Sequence, residues 1–217
     1  MASGDISKKL LAEVRTFADE VSAAFWTDDE IYQALTDAQR EYASKVLTIY
    51  KGKIQINPSE SMPEVLRVLI GTSGTTLADG ISVFTAPTDF LYDIALKYNH
   101  LDTLNLKPCF KREIDGNYYF KQANSLLQAD TTKEYYYLII GNSFILETPV
   151  NHAGGGGYFL TYLKTTTDIT TSIDPILPPF AFPAFVQYAF GDILNKDSRV
   201  QESMGYYSKF QSMVEYK

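Results

Sequence analysis

A capped amphipathic helix near the N-terminus constrains the fold more than any other feature of the sequence. Thr27 can cap the helix start, and Glu30, three residues later, can return a hydrogen bond to the Thr27 amide, which is the capping-box pattern. Apolar residues then recur at steps of three and four and form one stripe: Ile31, Leu35, Ala38, Tyr42, Val46 and Ile49. The pattern predicts a helix over 28–49 that ends near Gly52 and buries this stripe against other elements.

Helical patterns at both ends of the chain can supply the covering surface. A first helix is predicted over 6–24, because its apolar residues fall on one face. Near the C-terminus, Pro183 suits the first turn of a helix, and a second stripe follows a break near 195–197. The sequence therefore predicts that residues 1–52 and 178–217 form one α-helical bundle.

The middle of the chain has the composition of β-structure. Runs rich in Tyr, Ile and Phe are separated by Gly, Pro and Asn-containing turns. Strands are predicted at 81–84, 91–98, 108–111, 118–121, 135–140, 143–148 and 158–164. Gly71–Gly80 is predicted to be a loop, and 64–70 is either a strand or a helical turn. The predicted fold class is α+β, with an antiparallel β module, a meander or small sandwich, inserted over residues 53–177.

Charge and cysteine content limit the classes of function. The 217 residues carry a net charge of −7, which argues against an electrostatic hold on nucleic acid or anionic lipid. Cys109 is the one cysteine, so no intramolecular disulfide is possible and folding in the cytosol is favoured. No apolar run approaches the roughly 20 residues of a membrane span, so no membrane partner is expected.

The residue types used in catalysis and metal binding do not form a motif. The run Gly154–Gly157 lies between two predicted strands and is not followed by Lys and Ser or Thr, which favours a flexible hairpin tip over a nucleotide loop. His100 and His152 are isolated, and Cys109 is distant from His152 in sequence. The sequence predicts no catalytic residue, no cofactor and no metal site, and therefore no enzyme.

Two aromatic clusters are candidates for binding surfaces. Strand alternation places Tyr135 and Tyr137 on one face and Tyr136 on the other. No basic residue adjoins the run on its C-terminal side, so a sheet core with one exposed tyrosine is favoured over a nucleic-acid platform. Near the C-terminus, aromatic and Met side chains on more than one side of a helix indicate either a partner-binding surface or packing on the first two helices: Tyr206, Tyr207, Phe210 and Met213.

Several segments, taken in their order along the chain, resemble the head-to-tail adaptor proteins of tailed, podovirus-like bacteriophages. The resemblance covers most of the chain from 26 to 215, and the matching segments are Trp26–Ile31, Phe84–Leu91, Tyr137–Pro149, Phe159–Leu163 and Pro179–Asp197. The chain departs from the family pattern where Ala86-Pro87 replaces Leu-Pro, and in its glycine-rich run. These departures leave the tail-side contacts open.

The resemblance implies a structural virion protein without enzymatic activity. It implies a ring, typically twelve-fold, that joins the portal to the tail or a further ring at the head-tail junction, after synthesis in the host cytoplasm. DNA would pass through the lumen without sequence-specific binding. Within such a ring, Tyr206, Tyr207, Phe210 and Met213 are expected to reach the portal. The run of four glycines is expected to face another component or the lumen: Gly154, Gly155, Gly156 and Gly157.

Two alternatives remain open at this point. One is a β-sandwich binding module of a virion, for a carbohydrate or protein ligand, with a binding face at Tyr136 or Tyr158. The other is a cell-wall hydrolase, which needs a pair of carboxylates that the sequence does not locate.

Overall fold

A computed structural model describes residues 4–19, 25–56, 62–99, 104–112, 135–147, 149 and 155–215. The described residues form five helices and one seven-stranded sheet, so the protein is of the mixed α+β class. The chain divides into a helical unit, Met1–Leu69 with Thr165–Lys217, and a sheet unit, Ile70–Lys164. The sheet unit begins and ends inside the range 53–177. None of the described helices is long and apolar enough to cross a membrane.

The bounds of the elements are as follows. The helices are α1 Asp5–Phe17, α2 Asp28–Ile56, α3 Glu64–Arg67, α4 Phe182–Lys196 and α5 Val200–Glu215, with a short 3-10 turn at Pro179–Ala181. The strands are β1 Ile70–Leu77, β2 Val83–Thr85, β3 Phe90–Asn99, β4 Lys107–Lys111, β5 Tyr135–Ile140, β6 Ser143–Leu146 and β7 Gly156–Lys164.

The predicted capping box begins α2. The Thr27 amide donates to the Glu30 carboxylate at 2.9 Å, and the Glu30 amide donates to the Thr27 hydroxyl at 3.3 Å. Most of the predicted stripe is buried, whereas Ile49 is 48% exposed. The helix continues beyond Gly52 to Ile56, so its predicted end was wrong. One glycine inside a helix costs only about 1 kcal/mol relative to alanine, which is too little to end a helix.

Helices from both ends of the chain pack on α4. The ring of Tyr42 on α2 meets Phe185 edge-to-face, with centroids 5.8 Å apart. Phe17 on α1 lies 5.8 Å from Phe190. Pro183 occupies the first turn of α4, as predicted, and α5 follows after a turn in which Ser198 has a φ of 62°. The helical unit therefore has α4 at its centre.

The segment after the sheet unit is fixed on α2 by buried polar side chains. The Gln39 amide donates to the Thr167 carbonyl at 2.9 Å and accepts from the Ile176 amide at 2.8 Å. The Thr36 hydroxyl accepts from the Ile169 amide at 2.9 Å. Buried polar groups require such partners, so residues 165–177 belong to the helical unit.

The seven strands form a single mixed sheet in the order β1-β7-β3-β4-β5-β6-β2. All neighbouring strands pair antiparallel except β4 and β5, which pair in parallel. The prediction of a wholly antiparallel module was therefore wrong. The connection from Lys111 to Tyr135 exceeds the dozen or so residues that a parallel crossover needs. The strand predicted at 118–121 lies outside the described residues.

The stretch predicted as a loop at Gly71–Gly80 is mostly an edge strand, β1. Its glycines permit the close approach of β7, because a Cβ atom on Gly71 would lie 2.8 Å from the Tyr162 ring. A Cβ atom on Gly74 would lie 2.7 Å from the Tyr158 carbonyl oxygen. The threonines of this strand favour β-structure, which the glycine content obscured in the sequence.

The sheet curls and encloses its own core. Phe84 on β2 stacks on Tyr158 on β7 with ring centroids 3.9 Å apart. These strands are five positions apart in the sheet, a separation of roughly 24 Å if the sheet were flat. Two irregularities in β3, at Phe90–Tyr92 and Asp93–Ala95, help the strand to bend. The enclosed core is aromatic and aliphatic, and Tyr135 and Tyr137 lie in it as predicted.

Candidate interaction surfaces

The C-terminal helix α5 contains the residues that the sequence indicates as a partner surface. Phe210 is 1% exposed and lies edge-to-face against Tyr42 at 6.2 Å and Tyr188 at 5.0 Å. Ser203 and Val214 are buried on the same side of the helix. Phe210 is therefore a core residue of the helical unit, and its ring is not on the surface.

Tyr206 and Tyr207 are half-buried at the edges of this core. Tyr206 meets Phe190 edge-to-face at 4.7 Å, and Tyr207 lies 5.3 Å from Tyr188. Desolvation and the nearby Glu41 carboxylate raise the pKa of Tyr188 to about 12, so the Tyr188 hydroxyl is uncharged at neutral pH. The tyrosines present ring edges and hydroxyl groups, the combination that interfaces favour.

Two methionines on α5 are exposed on opposite sides. Met213 is 36% exposed and Met204 is 57% exposed. They are nine residues apart, which at 100° per residue places them about 180° apart around the helix axis. The helix therefore has two exposed flanks with the core stripe between them.

A groove of about 640 Å³ borders the flank that contains Tyr206. Its walls combine the end of α1, the residues before α2, and the facing sides of α4 and α5. Phe17 is 48% exposed and Phe25 is 87% exposed. The apolar lining is Phe17, Phe25, Trp26, Phe190, Ile193 and Leu194, and the charged rim is Asp19, Asp197, Arg199 and Glu202. Sequence reasoning missed the groove because its walls come from distant segments, although the Phe25-Trp26 pair beside a helix cap was a signal.

The described part of the glycine run is the ordered start of a strand. Gly156 and Gly157 pair with Leu77 and Thr76 on β1, and both are buried. Gly155 has a φ of +78°, and a Cβ atom there would lie 2.5 Å from the Leu77 carbonyl oxygen. The prediction of a flexible hairpin tip was therefore wrong for Gly156 and Gly157, which lie in β7. Gly154 lies outside the described residues.

A basic and aromatic surface forms on the outside of the sheet at β4 and β5. Phe110 pairs with Tyr136, and their ring centroids are 5.9 Å apart. The Arg112 guanidinium carbon lies 3.8 Å from the centroid of the Tyr136 ring. The sequence placed no basic group against Tyr136, and this expectation was wrong. The parallel pairing of β4 with β5 brings Arg112 there from the far end of a long connection.

An ionic and hydrogen-bonded cluster around the buried Asp93 fixes the position of β4. The Lys111 ammonium lies 2.6 Å from one oxygen of Asp93, and the Tyr137 hydroxyl donates to the other at 2.7 Å. Burial, together with the Asp93 carboxylate, raises the pKa of Tyr137, so its hydroxyl remains a donor at neutral pH. The three groups come from β4, β3 and β5, and the cluster therefore holds three adjacent strands in register.

The remaining candidate groups within the described ranges are buried or isolated. Burial raises the pKa of the Cys109 thiol to about 12, which keeps it protonated and unreactive. Tyr158 is 9% exposed and stacked on Phe84, so its ring is not a surface for ligands. Within the described ranges no three or more His, Cys, Asp or Glu side chains form a group that could hold a metal ion. His100 and His152 lie outside those ranges.

No protein-family model matches the chain, and no curated protein matches it.

Proposed function

We propose that this chain is a structural subunit of a head-to-tail adaptor ring in a tailed bacteriophage. The observation that carries the proposal is the packing of helices from both chain ends around α4, while the sheet unit lies between those helices in the sequence. This is the arrangement that the resemblance to adaptor proteins implies. The sheet unit is one continuous segment of the chain, Ile70–Lys164, and the helical unit consists of the residues before and after it.

In this proposal the four long helices form the bundle that joins neighbouring subunits. The interface in a closed ring, typically twelve-fold, is heterologous. One face of each subunit therefore contacts a different face of its neighbour. The ring would sit at the head-tail junction of the virion, between the portal and the tail or a further ring. DNA would pass through its lumen.

We place the portal contact on the flank of α5 that contains Tyr206 and Met213. Support comes from exposure, since Met213 is accessible and Tyr206 forms a wall of the neighbouring apolar groove. Aromatic and Met side chains at the edge of a groove are typical anchors of protein interfaces. Phe210 contributes from the interior, because its burial holds α5 against α2 and α4.

Assembly with the portal tests the proposal. The purified chain is mixed with portal rings of its own phage, and the products are measured by native mass spectrometry and electron microscopy. The expected result is a ring of about twelve subunits on one end of the portal, as rings of closed symmetry require. A chain that stays monomeric and does not bind the portal would refute the function.

Matched methionine variants test the location of the contact. Met213→Glu is expected to abolish portal association, whereas Met204→Glu, the same change on the opposite flank, is expected to retain it. Equal effects of the two variants would refute the placement on this flank. Removal of residues 206–217 is a poorer test, because it also removes Phe210 from the core.

A further inference from the structure

We propose that the outer face of β7, β3, β4 and β5 binds single-stranded nucleic acid. The face, called here the platform, consists of six side chains: Lys97, Pro108, Phe110, Arg112, Tyr136 and Phe159. The proposal rests on the geometry of the sheet unit alone and is independent of the adaptor assignment.

Strand register places these residues on one face. Phe159 pairs with Lys97, and Lys97 pairs with Pro108, which forms a row across three strands. Phe110 follows two positions after Pro108 on β4 and pairs with Tyr136 on β5. Directly paired residues share a face, and residues two apart on a strand share a face. Cys109, between Pro108 and Phe110, packs on the enclosed core, so the platform faces outward.

Exposed rings give the platform its stacking surfaces. Phe110 is 49% exposed and Phe159 is 41% exposed. Phe110 lies two strands away from Phe159 across the sheet and two residues away along the strand direction. With a strand spacing of about 4.8 Å and a rise of about 3.4 Å per residue, the backbone positions of the two residues are roughly 12 Å apart. Unpaired bases stack on such rings without regard to sequence. Two rings at this separation can each take a different base.

Cations lie among the rings, where phosphates of a stacked strand would pass. Lys97 is exposed and has no ion-pair partner among the described residues. The Arg112 guanidinium lies over the Tyr136 ring and is 3.5 Å from Glu147, and its five N–H donors allow a phosphate to bind as well. The combination of aromatic rings and cations on an open surface is the arrangement of single-strand-binding proteins.

The sheet unit is less acidic, among its described residues, than the net charge of the whole chain indicates. The described residues of the sheet unit carry five basic and four acidic side chains. One of the four, Asp93, is buried and paired with Lys111, which leaves four basic and three acidic side chains outside that pair. A shallow cavity of about 350 Å³ beside Phe159 is lined in part by Thr72 and Thr76, which lie on the same face of the sheet as Phe159 and can hydrogen-bond to phosphate or sugar.

The chemistry favours a single strand over a duplex. Bases in a duplex are stacked on each other and cannot reach the rings of Phe110 and Phe159. Two cations are also few for a duplex, whose binding proteins depend mainly on phosphate contacts. A single strand obtains affinity from both stacking and charge.

The test is fluorescence anisotropy of a labelled 20-nucleotide oligothymidine with the full-length chain, between 50 and 200 mM salt. An oligouridine of the same length and a 20-base-pair duplex are measured in parallel. Lys97→Gln with Arg112→Gln is expected to weaken binding at least tenfold. It is also expected to reduce the slope of log affinity on log salt by about 1.4, since each phosphate contact to a single strand contributes about 0.7.

Two further variants separate stacking from charge. Phe110→Ala is expected to weaken binding about fivefold or more without a change in the salt slope, because stacking is not ionic. Lys8→Gln with Lys9→Gln removes two exposed lysines of the helical unit and is the matched control, with affinity and slope expected to be unchanged. Circular dichroism verifies that each variant is folded.

Three results would overturn the proposal. The first is no binding of the oligothymidine or the oligouridine by the unaltered chain at 50 mM salt. The second is an equal loss with the control pair and the platform pair. The third is tighter binding of the duplex together with no effect of Phe110→Ala, which would indicate attraction to phosphates without base stacking.

Discussion

Truncation of Phe210 is expected to destabilise the helical unit strongly, whereas truncation of a surface residue would leave its stability nearly unchanged. Phe→Ala changes in a core cost about 3–5 kcal/mol. At 1% exposure, Phe210 also forms two edge-to-face contacts, each worth about 0.5–1.5 kcal/mol beyond burial. We therefore expect Phe210→Ala to lower the free energy of unfolding by about 4–5 kcal/mol, a large part of the 5–15 kcal/mol of a typical domain.

The assay is urea unfolding followed by the fluorescence of Trp26. Trp26 is the one tryptophan of the chain, and it precedes α2, so its signal reports the helical unit. For a urea dependence of about 2 kcal/mol per molar, a loss of 4 kcal/mol lowers the unfolding midpoint by about 2 M. Phe210→Leu retains most of the apolar volume and is expected to show a smaller decrease.

The control is Met213→Ala on the same helix. Met213 is exposed, so its truncation is expected to change stability by about 0.5 kcal/mol or less. If Phe210→Ala left the midpoint within about 0.3 M of the unaltered chain, the packing of Phe210 against Tyr42 and Tyr188 would be refuted.

Three further experiments, on two glycines, on Asp174 and on Cys109, have defined expected outcomes. Gly155→Ala is expected to lower the free energy of unfolding by about 1–2 kcal/mol or more, because φ is positive at Gly155 and a carbonyl oxygen occupies the space that the Cβ atom needs. Gly205→Ala is expected to raise the free energy of unfolding by about 1 kcal/mol, because Gly205 lies inside α5 with open space around it. Urea unfolding measures both effects. Bonds from the amides of Ser7, Gly4 and Ile6 lower the pKa of Asp174, so its stabilising effect is present above about pH 4 and disappears as pH falls through that lowered pKa. Thermal melts of Asp174→Asn should therefore differ from those of the unaltered chain at pH 7 and converge with them at low pH; a constant difference would contradict this. Cys109 should react slowly with a thiol reagent at pH 8 until urea unfolds the chain, because its pKa is raised to about 12; equal rates with and without urea would contradict its burial.

Local features were predictable where neighbours in sequence also interact in the structure. The Thr27–Glu30 capping box, the position of Pro183 and the inward alternation of Tyr135 and Tyr137 depend on residues a few positions apart. The bounds of elements were less predictable. A single glycine was too weak a signal to end α2, and the strand character of β1 depended on its pairing with β7.

The candidate surfaces were also less predictable where they depend on residues that are distant in sequence. Exposed Met213 and buried Phe210 have the same apolar character in the sequence, and only the packing of α5 distinguishes them. The groove and the platform were not foreseen, because each gathers residues that are distant along the chain. A hydrophobic stripe reveals which side of an element is buried, but not which other element covers it.

The sequence by itself determined the capped helix α2, most of the strands, and the order of helices, strands and helices. Those properties follow from periodicity, propensity and capping, which act within one turn or one strand. Tertiary structure decided the parallel pairing of β4 with β5, the curl that brings Phe84 onto Tyr158, and the contact of Arg112 with Tyr136. Strand order depends on which distant segments bury their apolar faces together, and that choice depends on the packing energy of the whole sheet.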